Sequence, residues 1–456
     1  MGISAARRIA YEVLRRVEAE GAYASDLLHA ELDAEVTKED AALATELTLG
    51  VLRWRRLLDF LLERQIRKPV MRLDLPVALA LRMGFYQLRF LARIPARAAV
   101  NESVELVKRA RKASAASLVN AVLRRAAAEA REAVQNLLPE NVSLAERLGT
   151  LLSHPTWIVE RWLARFGEVP TILLLQANNR APRLSCAIHD TGHCRETFRV
   201  MEKAELEVEP GQLLKTAFSV RKGAPTRTEA FRRGWISVQD EASQAVPLLL
   251  GVRPGDRVLD LCAAPGGKTP ALVRAAGNSG VVVASDRHAH RIRGMREQFE
   301  RLGLNEVRLV ELDAEKPLPF RIKFDRILVD APCSGTGTLA RHPEIRWRLR
   351  PEQLQEFRCL QTEMLANALA QLERHGRLVY STCSLEREEN EDVAREAVSR
   401  VPSVRRVPAE DLKRSLETHL LAGVKMTQLF DESQHFRTVP GELPMDGFFA
   451  AAFERV

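Results

Sequence analysis

The sequence predicts a multidomain chain with an all-α N-terminal bundle, a small α+β unit and a C-terminal α/β domain. Three observations carry this reading. Up to about residue 130, apolar residues recur at helical spacing and glycine is scarce. Beyond His154 the texture changes to short strand-like runs separated by Pro and Gly. From Gly234 strands alternate with helices, the pattern of a parallel sheet wound on both faces. A length of 456 residues suits two to four such units.

In the first part, Ile9, Val13, Leu14 and Val17 share one face of a helix that Gly21 stops. Thr37 begins a longer helix with Leu43, Leu47, Val51 and Leu52 inward. Asp74–Leu91 and Ala99–Arg111 make two more, and Ala113 to about Ala133 the last. The expected divisions are a helical domain at 1–133, a linker at 134–153, an α+β unit at 154–233 and a final domain at 234–456. The linker contains Leu138-Pro139. The α+β unit opens with a helix from His154-Pro155-Thr156-Trp157 to Phe166, then strands at Arg183–Ile188 and Thr197–Val200. His189, His193 and Cys194 share one loop without a partner pair, so no metal is expected.

The net charge of +8 favours a polyanionic partner, most simply nucleic acid. Residues 1–50 hold 5 Lys/Arg and 10 Asp/Glu, whereas 51–125 hold 17 and 5, a difference of +12. Arg53, Arg55, Arg56, Arg64, Arg67 and Lys68 cluster, as do Lys108, Arg109, Arg111 and Lys112, and together they read as a surface for RNA phosphates. No apolar run approaches a membrane span, and the first residues lack the apolar core of a signal peptide. Six scattered cysteines without a C-x-x-C pair suggest neither a disulfide framework nor a metal site. A monomer in the reducing cytoplasm is expected.

In the last domain, strands fall at 257–262, 281–285, 306–311, 325–330 and 377–382, with helices notably at 287–302 and 352–375. Residues 447–453 make a terminal strand, one of an antiparallel pair at the sheet's edge. Val258–Leu261 runs into Cys262-Ala263-Ala264-Pro265-Gly266-Gly267-Lys268, a loop no strand or helix interior would tolerate. Strand, glycine turn and helix start together hold an anionic or nucleoside ligand. A P-loop would need glycine where Cys262 stands, and the G-x-G-x-x-G fingerprint is absent. The next strand ends at Asp286, placed to accept hydrogen bonds from both ribose hydroxyls. Asp313 follows the third strand. The fourth runs into Asp330-Ala331-Pro332-Cys333, and the fifth into Ser381-Thr382-Cys383. A buried Asp330 without a partner would be costly, and two thiols at neighbouring strand ends suggest covalent catalysis.

LDLCAAPGGKT at 259–269, DAPCSGTG at 330–337, STCSLEREENE at 381–391 and MDGFFAAAF at 445–453 resemble the motifs of RNA 5-methylcytosine methyltransferases. The N-terminal helices are similar to the NusB antitermination fold. The fusion of the two resembles the bacterial 16S ribosomal RNA (cytosine-5)-methyltransferase B family. The resemblance implies a NusB-like RNA-binding bundle and a Rossmann-like domain that uses S-adenosylmethionine. It implies that Cys262, Ala263, Ala264, Pro265, Gly266, Gly267 and Lys268 cradle the cofactor's methionine part. Asp286 takes its ribose, Asp313 lies by its adenine, and Asp330 stands near both methyl group and base. It makes Cys383 the nucleophile and Cys333 the product-releasing thiol.

The chemistry needs such groups. Carbon 5 of cytosine is a poor nucleophile until a thiolate adds at carbon 6, and Asp330 can hydrogen bond the ring as charge develops. What activates Cys383 is not legible. Four other classes remain: a transfer RNA cytosine-5 methyltransferase, a DNA enzyme using Cys333 as nucleophile, a non-catalytic NusB-type factor, and a nucleotide hydrolase. The DNA enzymes usually carry Gln where Ser334 stands. The non-catalytic factor would leave both cysteine loops idle, and the hydrolase lacks its P-loop.

Overall fold

The computed structural model describes residues 2–32, 36–128 and 134–456. They fall into two units, 1–181 with 339–348, and 182–338 with 349–456.

The first unit is helical. Its N-terminal helix, Ala5–Glu20, buries the expected Ile9, Val13, Leu14 and Val17. It stops at Gly21, which sits at φ 70°, where a side chain would be strained. Thr37 caps the helix Lys38–Arg53 by accepting from the backbone N–H of Asp40 at 3.1 Å. Short helices at Ala24–Glu31 and Arg55–Ile66, which the periodicity did not separate, complete the packing. Leu75–Phe90, Ala96–Arg109 and Ala116–Ala128 follow; the expected continuation to Ala133 lies outside the described residues. The expected linker contains the helix Leu144–Leu151, whose cap Ser143 accepts from Glu146 N–H at 3.1 Å. Helices Thr156–Phe166 and Glu168–Asn178 group with this unit rather than with the α+β part.

The basic stripe is partly internal. Arg53 is buried and donates to Ala340 O at 2.9 Å. Arg55 pairs with Glu18 at 2.9 Å, and Arg56 binds Glu146 at 2.5 Å and His154 O at 2.6 Å. These three hold helices together. The surface role expected for them therefore falls to Arg64, Arg67 and Lys68 on one stretch and Arg109 and Arg111 on the other.

Residues 339–348 belong to this unit although the chain enters them from the second. Arg346 is fully buried and donates to the carbonyls of Ser153, Asn178 and Leu339 and to Asn179 Oδ1, at 2.8–3.2 Å. Trp347 Nε1 donates to Leu52 O at 2.7 Å, and Arg348 to Gly21 O at 2.7 Å.

The second unit holds two sheets. Strands β1 (Leu184–Ile188), β2 (Glu207–Pro210), β3 (Ala217–Lys222) and β4 (Ile236–Val238) make an antiparallel sheet in the order β2-β3-β1-β4. The expected strand Thr197–Val200 is instead part of the helix Cys194–Lys203. Thr197 and Met201, one turn apart, are its buried face. The larger sheet contains β5 (Arg257–Asp260), β6 (Val281–Asp286), β7 (Arg308–Glu311), β8 (Phe324–Asp330) and β9 (Leu372–Thr382), all parallel. It continues through β10 (Val404–Arg406), β11 (Phe436–Thr438) and β12 (Phe448–Arg455), which are antiparallel. The order β10-β12-β9-β8-β5-β6-β7 places β12 in an antiparallel pair with β10 at one end of the sheet, as expected. The chain winds from β5 toward β7, then reverses through β8 to β9. The switch point lies between β5 and β8, where such sheets bind ligands.

Candidate active site

The site is built at the carboxyl ends of β5, β6, β8 and β9. β5 ends at Asp260, whose side chain is buried. Its Oδ2 accepts from Thr269 Oγ1 at 2.7 Å, while Oδ1 has no partner. Residues 262–268 loop back to the helix Thr269–Ala276. Gly266 takes φ 94°, and a Cβ there would meet Phe299 at 2.8 Å, so only glycine lets the loop lie this close. Burial first, then the nearby Asp330, pushes the Cys262 thiol far up, so it stays protonated. Asp286 ends β6, nearly buried, with Oδ1 accepting from His288 N–H at 3.0 Å. Asp313 lies after β7 with Lys316 3.6 Å away.

Burial pushes Asp260 from 3.8 up to about 7, against the opposing hydrogen bond from Thr269. With a folded value above the unfolded one, the stability this group contributes is fully present below about pH 4. It is lost as pH rises through about 7. Asp260→Asn should remove that component. Thermal melts should show wild type losing more stability between pH 5 and pH 8 than the variant; parallel curves would contradict this.

β8 and β9 pair with Asp330 opposite Ser381. Ser381 Oγ donates to Asp330 Oδ1 at 2.7 Å, and Lys268 Nζ sits 2.5 Å from Oδ2. Asp330 is thus half-buried rather than buried as expected, and both its oxygens have partners. Lys268 also lies 5.1 Å above the Phe448 ring of β12. The same register brings the loops beyond the two strands together: Cys333 Sγ and Cys383 Sγ are 3.3 Å apart. The Cys383 hydrogen bond first, and burial second, push the Cys333 thiol well up. Gly337 N–H donates to Cys383 O at 2.9 Å, and Gly447 N–H to Gly337 O at 2.8 Å. A Cβ on Gly337 would lie 2.2 Å from Gly447 O. Three sequence motifs thus meet backbone to backbone.

One residue holding both cysteine loops was not read from the sequence. Glu389 is fully buried. Its Oε2 accepts from Ser334 N–H at 2.8 Å and Gln361 Nε2 at 3.0 Å. Its Oε1 accepts from Ser384 Oγ at 2.6 Å and from Ser334 Oγ. Ser334 and Ser384 each directly follow a cysteine. Asn390 Nδ2 adds a bond to Ser384 O at 2.8 Å. The available signal was the run Glu388-Glu389-Asn390-Glu391 just after the second thiol, in which Glu389 and Asn390 are buried. Among the described residues no group of His, Cys, Asp and Glu could hold a metal, and His189 instead bonds Ser237 Oγ at 2.7 Å.

A doubly wound sheet with a glycine loop, an acid at the second strand end and reactive groups at the switch point defines a Rossmann-like methyltransferase. Residues 247–454 match the family described as 16S rRNA methyltransferase RsmB/F, and residues 4–128 match the NusB family. The chain is 32% identical to a probable ribosomal RNA small subunit methyltransferase B of Bacillus subtilis, covering 98% of each protein. It is 35% identical to the ribosomal RNA small subunit methyltransferase B of Pseudomonas putida, over 83% of this chain and 85% of that one. The solved structure of PH0851 superposes with a TM-score of 0.82 over 100% of both chains at 24% identity, a likeness of fold. The chain belongs to the 16S rRNA methyltransferase RsmB/F family. It is an S-adenosylmethionine-dependent methyltransferase of ribosomal RNA. No described helix is long and apolar enough to cross a membrane.

Proposed function

We propose that the protein methylates carbon 5 of a cytosine in 16S ribosomal RNA through a covalent bond between Cys383 and the base. The observation that carries this is the pair of thiols 3.3 Å apart beside Asp330 at the switch point. The loop fits the cofactor. The unpartnered Asp260 Oδ1 is a buried acceptor that a cofactor α-ammonium would satisfy. Asp286 would hold the ribose and Asp313 the adenine side. Bound S-adenosylmethionine supplies a methyl group on an electron-poor sulfonium.

The side chains do the rest. In this scheme Cys333 is the hydrogen-bond donor in the 3.3 Å contact and keeps its proton, while the Cys383 sulfur accepts. Cys383 adds as thiolate to carbon 6, and the electron pair of the 5,6 double bond becomes available at carbon 5 for the methyl group. Asp330, held by Ser381 and Lys268, accepts a hydrogen bond from the exocyclic amine of the cytosine and so orients the ring. After transfer, the carbon 5 proton leaves to a base, the sulfur–carbon 6 bond breaks, and the double bond returns as Cys383 departs. Cys333 assists this second half by hydrogen bonding the departing Cys383 thiolate, its own proton staying on its sulfur throughout. Deuterium-labelled methyl donor, purified protein and 16S RNA should yield labelled 5-methylcytidine in the mass-mapped product. A labelled base of any other kind would overturn the reading.

Asp286→Ala should weaken S-adenosylmethionine binding by about 1.5–3 kcal/mol, because hydrogen bonds to a charged acceptor are lost. RNA affinity should be spared. Calorimetry giving an unchanged cofactor affinity would remove Asp286 from the ribose site.

A further inference from the structure

A second cavity, of about 670 Å³, lies in the same unit, and of its lining residues only Gly267 belongs to the loop assigned to the cofactor. Its walls combine apolar side chains such as Leu214, Pro247 and Leu248 with five arginines, and among the described residues no carboxylate lines it. Arg326 near the start of β8 and Arg377 on β9 are direct cross-strand neighbours. Like charges in that relation destabilise a sheet unless something offsets them. Part of the offset is visible. Arg326 approaches Asp256 at 3.3 Å and donates to Gly251 O at 3.3 Å, and Arg377 donates to Leu249 O and Ser415 Oγ, both at 3.2 Å. The remaining donors, Nη2 of Arg326 and both Nε and Nη2 of Arg377, hydrogen bond no described residue. Arg253, at the exposed mouth, makes no side-chain hydrogen bond to a described residue. Arg414 meets only Asp411, at 3.5 Å.

The geometry points to a nucleotide-binding site in this cavity, with the free guanidinium donors on a phosphate and the apolar wall against the nucleoside. Planar forks with paired donors match phosphate oxygens, and the volume lies in the range of small-ligand pockets. Inorganic phosphate alone would leave the apolar wall uncovered. The nucleotide comes either from the RNA chain, bound away from the target base, or from the free pool. Burial, opposed by Asp256, lowers the pKa of Arg326, and a bound phosphate would relieve that cost.

The test uses the full-length protein, titrated in a calorimeter with uridine 5′-monophosphate and, separately, with a single-stranded RNA. Two variants remove the site in different ways. Arg253→Ala with Arg414→Ala strips two exposed charges, so the fold survives. Ala275→Phe fills the cavity without altering charge. Both should weaken the ligand that uses the site by about tenfold or more, as expected for lost charged hydrogen bonds. Loss of mononucleotide binding with unchanged RNA affinity assigns the site to the free pool. Loss of RNA affinity, with the charge variant also flattening the salt dependence, assigns it to the RNA backbone. If neither variant shifts either titration, the proposal is overturned.

Discussion

Cys333→Ala should still attack and methylate its RNA but fail to release it. The stalled species is an enzyme–RNA adduct that survives denaturation and runs as a shifted band on a denaturing gel. Addition and elimination share one covalent intermediate, so removing the helper of the second step accumulates it. Cys383→Ala should show no adduct and no methylation. The 3.3 Å between the sulfurs makes both roles reachable by either thiol, so geometry alone does not order them. The order proposed above follows the family resemblance. An arrangement of the DNA type gives the reverse pattern, with an adduct in Cys383→Ala and none in Cys333→Ala. That result would exchange the two assignments.

The second large effect is expected at Glu389. Its carboxylate is the common acceptor for Ser334, Ser384 and Gln361, all buried. Glu389→Ala strands those donors and opens a hole between the two loops. A loss of several kcal/mol in stability is expected, at about 1–3 kcal/mol for each buried donor left unsatisfied. The loops should drift apart, and a shift of about 1 Å between reacting groups can cost roughly 10²-fold in rate. Cofactor binding, on the loop after β5, should change little. Denaturant melts give the stability, and adduct formation at saturating S-adenosylmethionine gives the rate. A variant that melts earlier but forms adduct at the normal rate would make Glu389 a packing residue and nothing more.

The parts of the fold that were legible are those where chemistry forces unusual residues into a strand end. Asp260 through Lys268, Asp330 through Cys333 and Ser381 through Cys383 announce themselves because a plain core would not contain them. The register that joins them could not be read, since it depends on β8 pairing with β9 across the intervening helix Pro351–Ala370. Glu389 was visible as a letter but not as a partner, for the same reason. Local misreadings have local causes. Thr197-Phe198-Arg199-Val200 has strand-forming residues, yet Thr197 and Met201 bury as a helical pair. The helix Leu144–Leu151 hid behind Pro139, although Ser143 and Glu146 carried its capping signal. The basic stripe was counted correctly, but counting does not distinguish arginines that bind carbonyls inside a bundle from those facing solvent.

The ten residues 339–348 alter what it means to call the helical unit an attachment. A unit appended at one terminus is joined by a single length of chain, and a cut there frees both halves. Here the chain passes between units three times, after 181, 338 and 348. The methyltransferase half of the gene, matched over 247–454, therefore encodes part of its neighbour's interior. A fragment ending at 181 would lack Arg346, leaving the carbonyls of Ser153 and Asn178 without their donor. Neither half can be exchanged between relatives as a cassette without carrying matched residues in the other. The return leg begins one residue after Thr338, close in sequence to Cys333, so any recombination there must keep the Cys333 loop and the helical unit in step.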